Sequence, residues 1–276
     1  MPRVQLSGRA IALSYELAGS GSPLVLTHGL GSNLQYWDHV CGPLSQHHQL
    51  VRWDVRGFGQ SDKPPGAYST AMFAADLAGL LDTLQLERVH LAGISMGGVI
   101  AQRFAFDHPG RLLSLILVST SSEVGSQATA NWQRLADLVE QNGFDTRSAD
   151  ASRSFSPAFA EHHPDVVSVM GEQTLANDAN AYAAAARAVS DYRWTADLAR
   201  VSVPTLILQG LDDQLTPPGG SVKMHRALPR SRLIMFPGTG HNLPVEQPLA
   251  FSAAVSAFTG AVDLFSEFGI AEPRQV

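Results

Sequence analysis

Short apolar runs alternate along this chain with segments whose apolar residues recur at helical spacing. The runs are rich in leucine, isoleucine and valine and are bounded by glycine, proline or polar residues. Near-continuous aliphatic strands separated by helices are typical of a mostly parallel sheet with helices on both faces. The pattern therefore predicts an α/β fold. The predicted strands are residues 11–17, 23–27, 49–54, 89–92, 112–119, 204–209 and 233–236.

Local signals predict how some of these strands are connected. The segment GSGS at 19–22 is short enough to predict a hairpin between the first two strands. Between the third and fourth strands, Phe73, Leu77 and Leu81 share one helical face after Ser69, an expected N-cap. This segment is predicted to be a crossover helix. Near the end of the chain, Glu246 precedes Pro248 and is expected to begin the final helix.

The alternation is interrupted once, between residues 120 and 197, where helical periodicity continues without a predicted strand. Trp132, Leu135 and Val139 fit one amphipathic helix, and the segment around Tyr182 fits another. A helical insertion between two strands of a parallel sheet is most simply a cap over the strand ends, where ligands bind. We expect a core domain of residues 1–119 plus 198–276 and a helical cap of residues 120–197.

Composition excludes several classes of function. The 276 residues carry a formal net charge of -6, with 45% hydrophobic and 16% charged residues. This is an ordinary globular composition with no basic field for nucleic acid. The single cysteine, Cys41, allows neither an internal disulfide nor a thiolate metal cluster. No leader or membrane span is predicted, so we expect a cytoplasmic protein without a membrane partner, and a homo-oligomer stays open.

One pentapeptide, GISMG at 93–97, places a serine in a sharp turn between a strand and a helix. It matches G-x-S-x-G in the strand–turn–helix context of a nucleophile elbow. Only small side chains fit beside a turn of this kind, which explains Gly93, Gly97 and Gly98. Ser95 is therefore the candidate nucleophile.

A serine hydroxyl needs a base to take its proton and an acid to orient that base. Among ten histidines, His241 follows the last predicted strand, where its loop would bring it above the sheet. Asp213 follows another predicted strand, with Asp212 as the alternative acid. The chain order Ser95, Asp213, His241 is the order described for α/β-hydrolase triads.

With these motifs in place, the chain resembles the α/β-hydrolase fold superfamily, in its serine-nucleophile branch, over nearly its whole length. The resemblance is carried by HG at 28–29, DVRGFGQS at 54–61, the elbow, residues 210–217 and GH at 240–241. It implies the α/β-hydrolase fold with an inserted helical cap, and it assigns the acid to Asp213. It also implies an oxyanion hole made by the backbone N–H groups of Leu30 and Met96, while Asp54 and Arg56 belong to a structural turn.

Within the fold, the chain is most similar to 3-oxoadipate enol-lactonases and small carboxylesterases. The similar segments are LTHGLGSN at 26–33, the elbow and the cap segments that contain Trp132 and Trp194. The resemblance implies a small-molecule ester or lactone substrate, with Trp132, Arg134 and Trp194 as candidate contacts. Arg134 is the favoured partner for a substrate carboxylate. The alternatives for that role are Arg187 and Arg193.

Other functions stay open at this stage. The same triad would serve a carbon–carbon bond hydrolase of ring-cleavage products or a cofactor-free perhydrolase, and a non-catalytic binding module is the alternative outside enzymes. No cofactor is implied, because the chain lacks both a P-loop and a complete dinucleotide fingerprint. No metal site is expected either. The adjacent pairs His47-His48 and His162-His163 are expected in solvated loops, where neighbouring side chains diverge.

Overall fold

The computed structural model describes residues 2–145 and 150–267, and these ranges form one eight-stranded sheet with ten α-helices around it. The strands are β1 (Arg3–Gln5), β2 (Ala12–Ala18), β3 (Ser22–Thr27), β4 (His48–Trp53), β5 (Val89–Ile94), β6 (Leu112–Val118), β7 (Thr205–Gly210) and β8 (Ser231–Phe236). The helices are α1 (Asp38–Leu44), α2 (Thr70–Thr83), α3 (Met96–Asp107), α4 (Ser126–Asn142), α5 (Pro157–His162), α6 (Pro164–Leu175), α7 (Ala179–Ala188), α8 (Pro218–Ala227), α9 (Leu243–Glu246) and α10 (Pro248–Glu267).

The sheet is mostly parallel, as predicted. Its strand order is β1-β2-β4-β3-β5-β6-β7-β8. From β4 onwards in this order, each strand pairs in parallel with the next, whereas β2 is antiparallel to both of its neighbours, β1 and β4. The predicted hairpin between the first two predicted strands is wrong, because β4 lies between β2 and β3. The glycines of the connection are needed for another reason: a Cβ on Gly19 would lie 2.4 Å from the His48 carbonyl oxygen.

Alternate residues of the central strands pack into two cores, one on each face of the sheet. Leu91 and Leu115 lie in the core beneath α2, α3 and α8, whereas Ala92 and Ile116 lie in the core beneath α1 and α10. Burial on both faces explains why these strands read as continuous aliphatic runs. The predicted crossover helix is α2, and the Ser69 side chain accepts a hydrogen bond from the backbone N–H of Met72, as an N-cap does.

A buried polar cluster ties α10 to the sheet and corrects the expectation for His48. The His48 side chain is buried, and its Nε2 lies 3.0 Å from Thr259 Oγ1. His90 Nε2 lies 2.9 Å from Asp263 Oδ1. Burial, and then the neighbouring His90, lowers the pKa of His48.

Helix α10 is, in the described ranges, the one helix long and apolar enough to cross a membrane. Its side chains Phe251, Val255 and Phe258 are buried in the core against the sheet. The apolar face of α10 is thus used inside the protein.

Between β6 and β7 the described residues form helices α4 to α7 and no strand. The two ends of this insertion are joined by a bridge between Glu123 and Arg193. The backbone N–H of Val124 donates to the Tyr192 carbonyl at 3.0 Å, and the Trp194 N–H donates to the Ser122 carbonyl at 2.8 Å. The two ends of the insertion therefore lie side by side where they join the rest of the fold.

Candidate active site

Ser95 occupies the turn between β5 and α3 in a backbone conformation that non-glycine residues rarely adopt. Its φ is 53° and its ψ is -119°. The surrounding structure fixes this strained geometry: the Ser95 N–H donates to the Val118 carbonyl at 3.0 Å, and the Ser95 carbonyl accepts from Gly98 N at 2.9 Å and Thr120 Oγ1 at 2.9 Å. Strain held in this way is characteristic of functional positions.

The three glycines around Ser95 are required by space. A Cβ on Gly93 would lie 2.1 Å from the Gly97 carbonyl oxygen, and a Cβ on Gly97 would lie 2.1 Å from the Thr27 carbonyl oxygen. A Cβ on Gly98 would meet the Thr120 side chain at 2.6 Å. All three distances are far shorter than real Cβ contacts, so the crowding predicted for the turn is confirmed.

His241 and Asp213 lie in adjacent loops at the same end of the sheet. Their loops can approach because Gly210 ends β7 without a side chain, and a Cβ there would lie 2.1 Å from the Gly240 carbonyl oxygen. His241 Nδ1 lies 2.9 Å from Asp213 Oδ2. With Nδ1 engaged, Nε2 is the ring nitrogen left to accept a proton. Asp212, the alternative acid, is exposed.

Asp213 accepts hydrogen bonds at both carboxylate oxygens. Oδ1 accepts from the backbone N–H groups of Leu215 and Thr216, each at 2.9 Å. Oδ2 accepts from Thr216 Oγ1 at 2.7 Å and Gln209 Nε2 at 3.1 Å, besides His241. Burial alone would raise the pKa of Asp213, but the attraction of His241 and the hydrogen bonds from His241 and Thr216 outweigh it, and the pKa is lowered. The arrangement keeps Asp213 ionised.

Gln209 is a supporting residue that the sequence analysis missed. It is fully buried, and besides Asp213 it contacts Ser221, whose hydroxyl donates to Gln209 Oε1 at 2.7 Å. The available signal was a glutamine at the end of the otherwise aliphatic strand β7, because a buried amide in such a strand must have hydrogen-bond partners.

The loop that carries His241 is held by the helical insertion and by Glu246. The His241 N–H donates to the Ser154 carbonyl at 2.9 Å. The Glu246 carboxylate accepts from the backbone N–H groups of Gly240 and Ser156, each at 3.0 Å. Glu246 therefore does not begin the final helix, as expected from Pro248, but ends the short helix α9 and points back to the site.

The loop after β3 lies against Ser95. A Cβ on Gly29 would be 3.4 Å from Ser95 Cβ, so the following residue, Leu30, is next to the serine. Buried His28 fixes this loop: its Nδ1 lies 2.8 Å from the Gly29 carbonyl oxygen, and its Nε2 accepts from Val55 N at 3.0 Å. Burial lowers the pKa of His28, which favours the neutral ring. Met96 is the first residue of α3, so its N–H has no acceptor within the helix.

Ser95, His241 and Leu30 line one cavity of about 820 Å³ between the sheet and the helical insertion. The structure does not bring all the predicted substrate contacts to this cavity. Trp132 lines it, but Arg134 is exposed and is not among the lining residues of the described chain. Trp194 packs instead against Tyr192 and Phe106, with ring centroids 4.8 and 5.6 Å away. Other lining side chains are Leu135, Phe144, Met170, Thr174 and Tyr182.

Among residues 2–145 and 150–267, the arginine that lines the cavity is Arg153, which the sequence analysis did not single out. Arg187 forms ion pairs with Asp137 and Glu140, at 2.7 and 2.6 Å, away from the cavity. Arg193 is exposed in the connection at the base of the insertion. In residues 2–145 and 150–267, no group of three or more His, Cys, Asp or Glu side chains is placed so that it could hold a metal ion.

Comparison with known proteins places this geometry in a family. A family model described as alpha/beta hydrolase fold matches residues 22–248. The chain is 31% identical to 3-oxoadipate enol-lactonase 2 from Acinetobacter baylyi, with 91% of this chain and 94% of that protein covered. A thermophilic esterase from Thermogutta terrifontis superposes with a TM-score of 0.90 at 31% identity, covering 95% of this chain and 99% of the other.

A further relative is a hydrolase named for a different substrate. The chain is 30% identical to 2-hydroxy-6-oxo-2,4-heptadienoate hydrolase from Pseudomonas putida, over 95% of this chain and 97% of that protein.

Proposed function

Because the chain belongs to the α/β-hydrolase fold family, we propose that it is a serine hydrolase that cleaves small carboxylic esters or lactones. The chain is an enzyme of the hydrolase class. The observation that carries the finer proposal is the pairing of His241 with Asp213 beside the cavity that Ser95 also lines. A nucleophile, a base and an acid that orients the base are the groups that acyl transfer needs.

The proposed reaction follows from these positions. His241 Nε2 takes the proton of Ser95 while Nδ1 donates to Asp213, and Ser95 Oγ bonds to the substrate carbonyl carbon. The carbonyl electron pair moves to oxygen, where the N–H groups of Leu30 and Met96 stabilise it; one such donor is worth about 3 kcal/mol in the transition state. The electron pair then returns to re-form the carbonyl, the bond between this carbon and the alcohol oxygen breaks, and the leaving alcohol takes the proton from His241. Water attacks the acyl-enzyme by the same steps and releases the acid.

The cap division is part of this proposal. Residues 120–197 would form a cap that supplies Trp132, Phe144 and Tyr182 to the lining of the cavity. The bridge between Glu123 and Arg193 would mark where this cap joins the core domain. An aromatic and aliphatic lining around a few polar groups suits a small, mostly apolar ester or lactone. The cytoplasmic location, the absence of nucleic-acid and membrane partners and the oligomeric state stay predictions.

Arg153 replaces Arg134 as the proposed partner of a substrate carboxylate. It lines the cavity together with Asp145 and Asp150. Because these two carboxylates would repel an anionic substrate, binding of such a substrate would depend on the positive charge of the Arg153 guanidinium. Arg153→Gln should raise the KM for an anionic lactone at least tenfold and leave the KM for a neutral ester unchanged. An equal change for both substrates would remove this assignment.

A carbon–carbon bond hydrolase is the second candidate, and the Pseudomonas putida relative is the observation that favours it. The reactions are separated by substrate. A panel of small lactones, short aryl esters and vinylogous diketone ring-cleavage products should show the highest kcat/KM for an ester or lactone. A preference for the ring-cleavage product would instead establish the alternative.

The test of the proposed function is the same panel with two variants. Ser95→Ala and His241→Ala should each lower kcat by about 10⁴ to 10⁶ without loss of the folded state. Asp212→Asn is the matched control, because its exposed carboxylate lies one residue from the proposed acid, and it should keep wild-type turnover. Full turnover by Ser95→Ala would exclude the proposal.

A further inference from the structure

A second pocket, of about 230 Å³, opens at the protein surface between α6 and the segment Leu34–Trp37. Two residues, Tyr36 and Met170, line both this outer pocket and the catalytic cavity. Their side chains therefore form a wall that the two spaces share. The other lining of the outer pocket includes the apolar side chains Val166, Val169 and Val245.

The two halves of the wall differ in how firmly they are held. Tyr36 is 6% exposed, its ring packs edge-on against Trp37 at 5.2 Å, and its hydroxyl donates to Asn242 Oδ1 at 3.3 Å. Met170 is half-buried. Its unbranched thioether side chain has three rotatable bonds and carries no group that forms a strong hydrogen bond. Met170 is thus the part of the wall that can be moved or removed with least disturbance.

The outer pocket is lined by residues next to the segment that follows His241. Tyr36 contacts Asn242, the residue after His241, and Val245 of the outer pocket follows three residues later. In acyl transfer the base gives its proton to the leaving alcohol, so the alcohol part of an ester lies next to His241. A long alcohol chain that passes the wall would enter the outer pocket, where valines would bury its methylenes.

We infer that Met170 sets the length of alcohol that the enzyme accepts, and that the outer pocket is a subsite for the alkyl tail of that alcohol. This inference rests on the proposed ester hydrolysis and adds a specificity residue to it. Shortening Met170 would widen the passage between the two spaces, and each further buried methylene is worth about fourfold in binding. A bulkier side chain at this position would close the passage.

The experiment compares two ester series by titrating the released acid. In the alcohol series, acetate is esterified with ethanol to octanol; in the acyl series, methanol is esterified with acetic to octanoic acid. Met170→Ala should raise the ratio of kcat/KM for octyl acetate to that for ethyl acetate about tenfold, mainly through KM, which corresponds to the burial of one or two methylenes more than in the wild type, and should leave the acyl series unchanged. Met170→Phe should lower kcat/KM for the longest acetates, and Met170→Leu should keep the wild-type profile.

Leu175→Ala is the matched control, since Leu175 lies on the same helix, is 40% exposed and is absent from the lining of both spaces in the described chain. An unchanged alcohol profile in both Met170→Ala and Met170→Phe would overturn the inference, as would a gain confined to the acyl series. If Met170→Ala does not fold, the loss expected for Met170→Phe decides alone. Failure of the wild type to hydrolyse any ester would instead reject the proposed function.

Discussion

Replacing Gln209 with leucine should weaken both the fold and the reaction, because this buried amide joins the proposed catalytic acid to α8. Gln209 Nε2 donates to Asp213 Oδ2 at 3.1 Å, and Gln209 Oε1 accepts from Ser221 Oγ at 2.7 Å. Leucine has the closest aliphatic size in common use, although it branches one bond nearer the backbone, and it keeps an apolar side chain in the strand. The substitution therefore removes hydrogen bonds with little change in volume.

The magnitude follows from what the leucine would leave behind. Ser221 is fully buried, and an unpaired buried hydroxyl costs about 1 to 3 kcal/mol. Asp213 keeps the hydrogen bonds from His241, Leu215 and Thr216, so it loses one charge-assisted bond, worth about 1.5 to 3 kcal/mol. We expect the free energy of unfolding to fall by about 3 kcal/mol. The His241 contact survives, so kcat should fall only about tenfold, with KM little changed.

Urea unfolding followed by tryptophan fluorescence measures the stability, and a double-mutant cycle with Ser221→Ala isolates the pair. Removing both partners leaves no orphaned group between them, so the double variant should be more stable than the sum of the single effects predicts, by about 1 kcal/mol. Additive effects, or a Gln209→Leu midpoint equal to that of the wild type, would refute the role assigned to this amide.

Two further predictions concern Asp213 and the elbow. The folded-state pKa of Asp213 lies below its unfolded value near 4, so its ionised form adds stability that is complete above that value and is lost as the pH falls through the folded pKa. In urea titrations the stability difference between the wild type and Asp213→Asn should shrink as the pH falls below about 4; a difference at pH 3 equal to that at pH 5 would contradict this. Gly97→Ala should lose more than about 2 kcal/mol, because its Cβ would lie 2.1 Å from the Thr27 carbonyl oxygen, whereas Gly110→Ala, with open space around its Cβ, should unfold like the wild type.

Most of the sheet could be predicted because its strands are buried on both faces. Strand β1 was missed, since Arg3–Gln5 is a short edge strand whose residues form no aliphatic run. The wrong hairpin has a different cause. A short glycine-rich connection predicts that two strands lie near one another, but it does not reveal that β4 is inserted between them.

The candidate triad could be predicted because tight turns restrict which residues fit. The glycines around Ser95 and the positions of Asp213 and His241 after strands are local features of the sequence. The substrate contacts are not local. Trp132 faces the cavity, and Arg134, two residues later on α4, lies about 200° around the helix and reaches solvent.

Arg153 could not be predicted from the sequence, because no local pattern marks its position. It lies in a short helical turn, Ser152–Ser154, that has no apolar periodicity. Its place in the cavity depends on packing of the insertion against the His241 loop, through the contact from His241 N to the Ser154 carbonyl. Such contacts between distant segments become visible only in the folded chain.

The most direct measurement of the central claim is covalent capture of the nucleophile. A fluorophosphonate ester should add one phosphonyl group to the wild type, located at Ser95 by peptide mass mapping, in step with the loss of esterase activity. Ser95→Ala should take up no label, and His241→Ala should react at least 10³-fold more slowly, because the hydroxyl lacks its base. Labelling at another residue with the same loss of activity, or equal labelling of Ser95→Ala, would contradict the account.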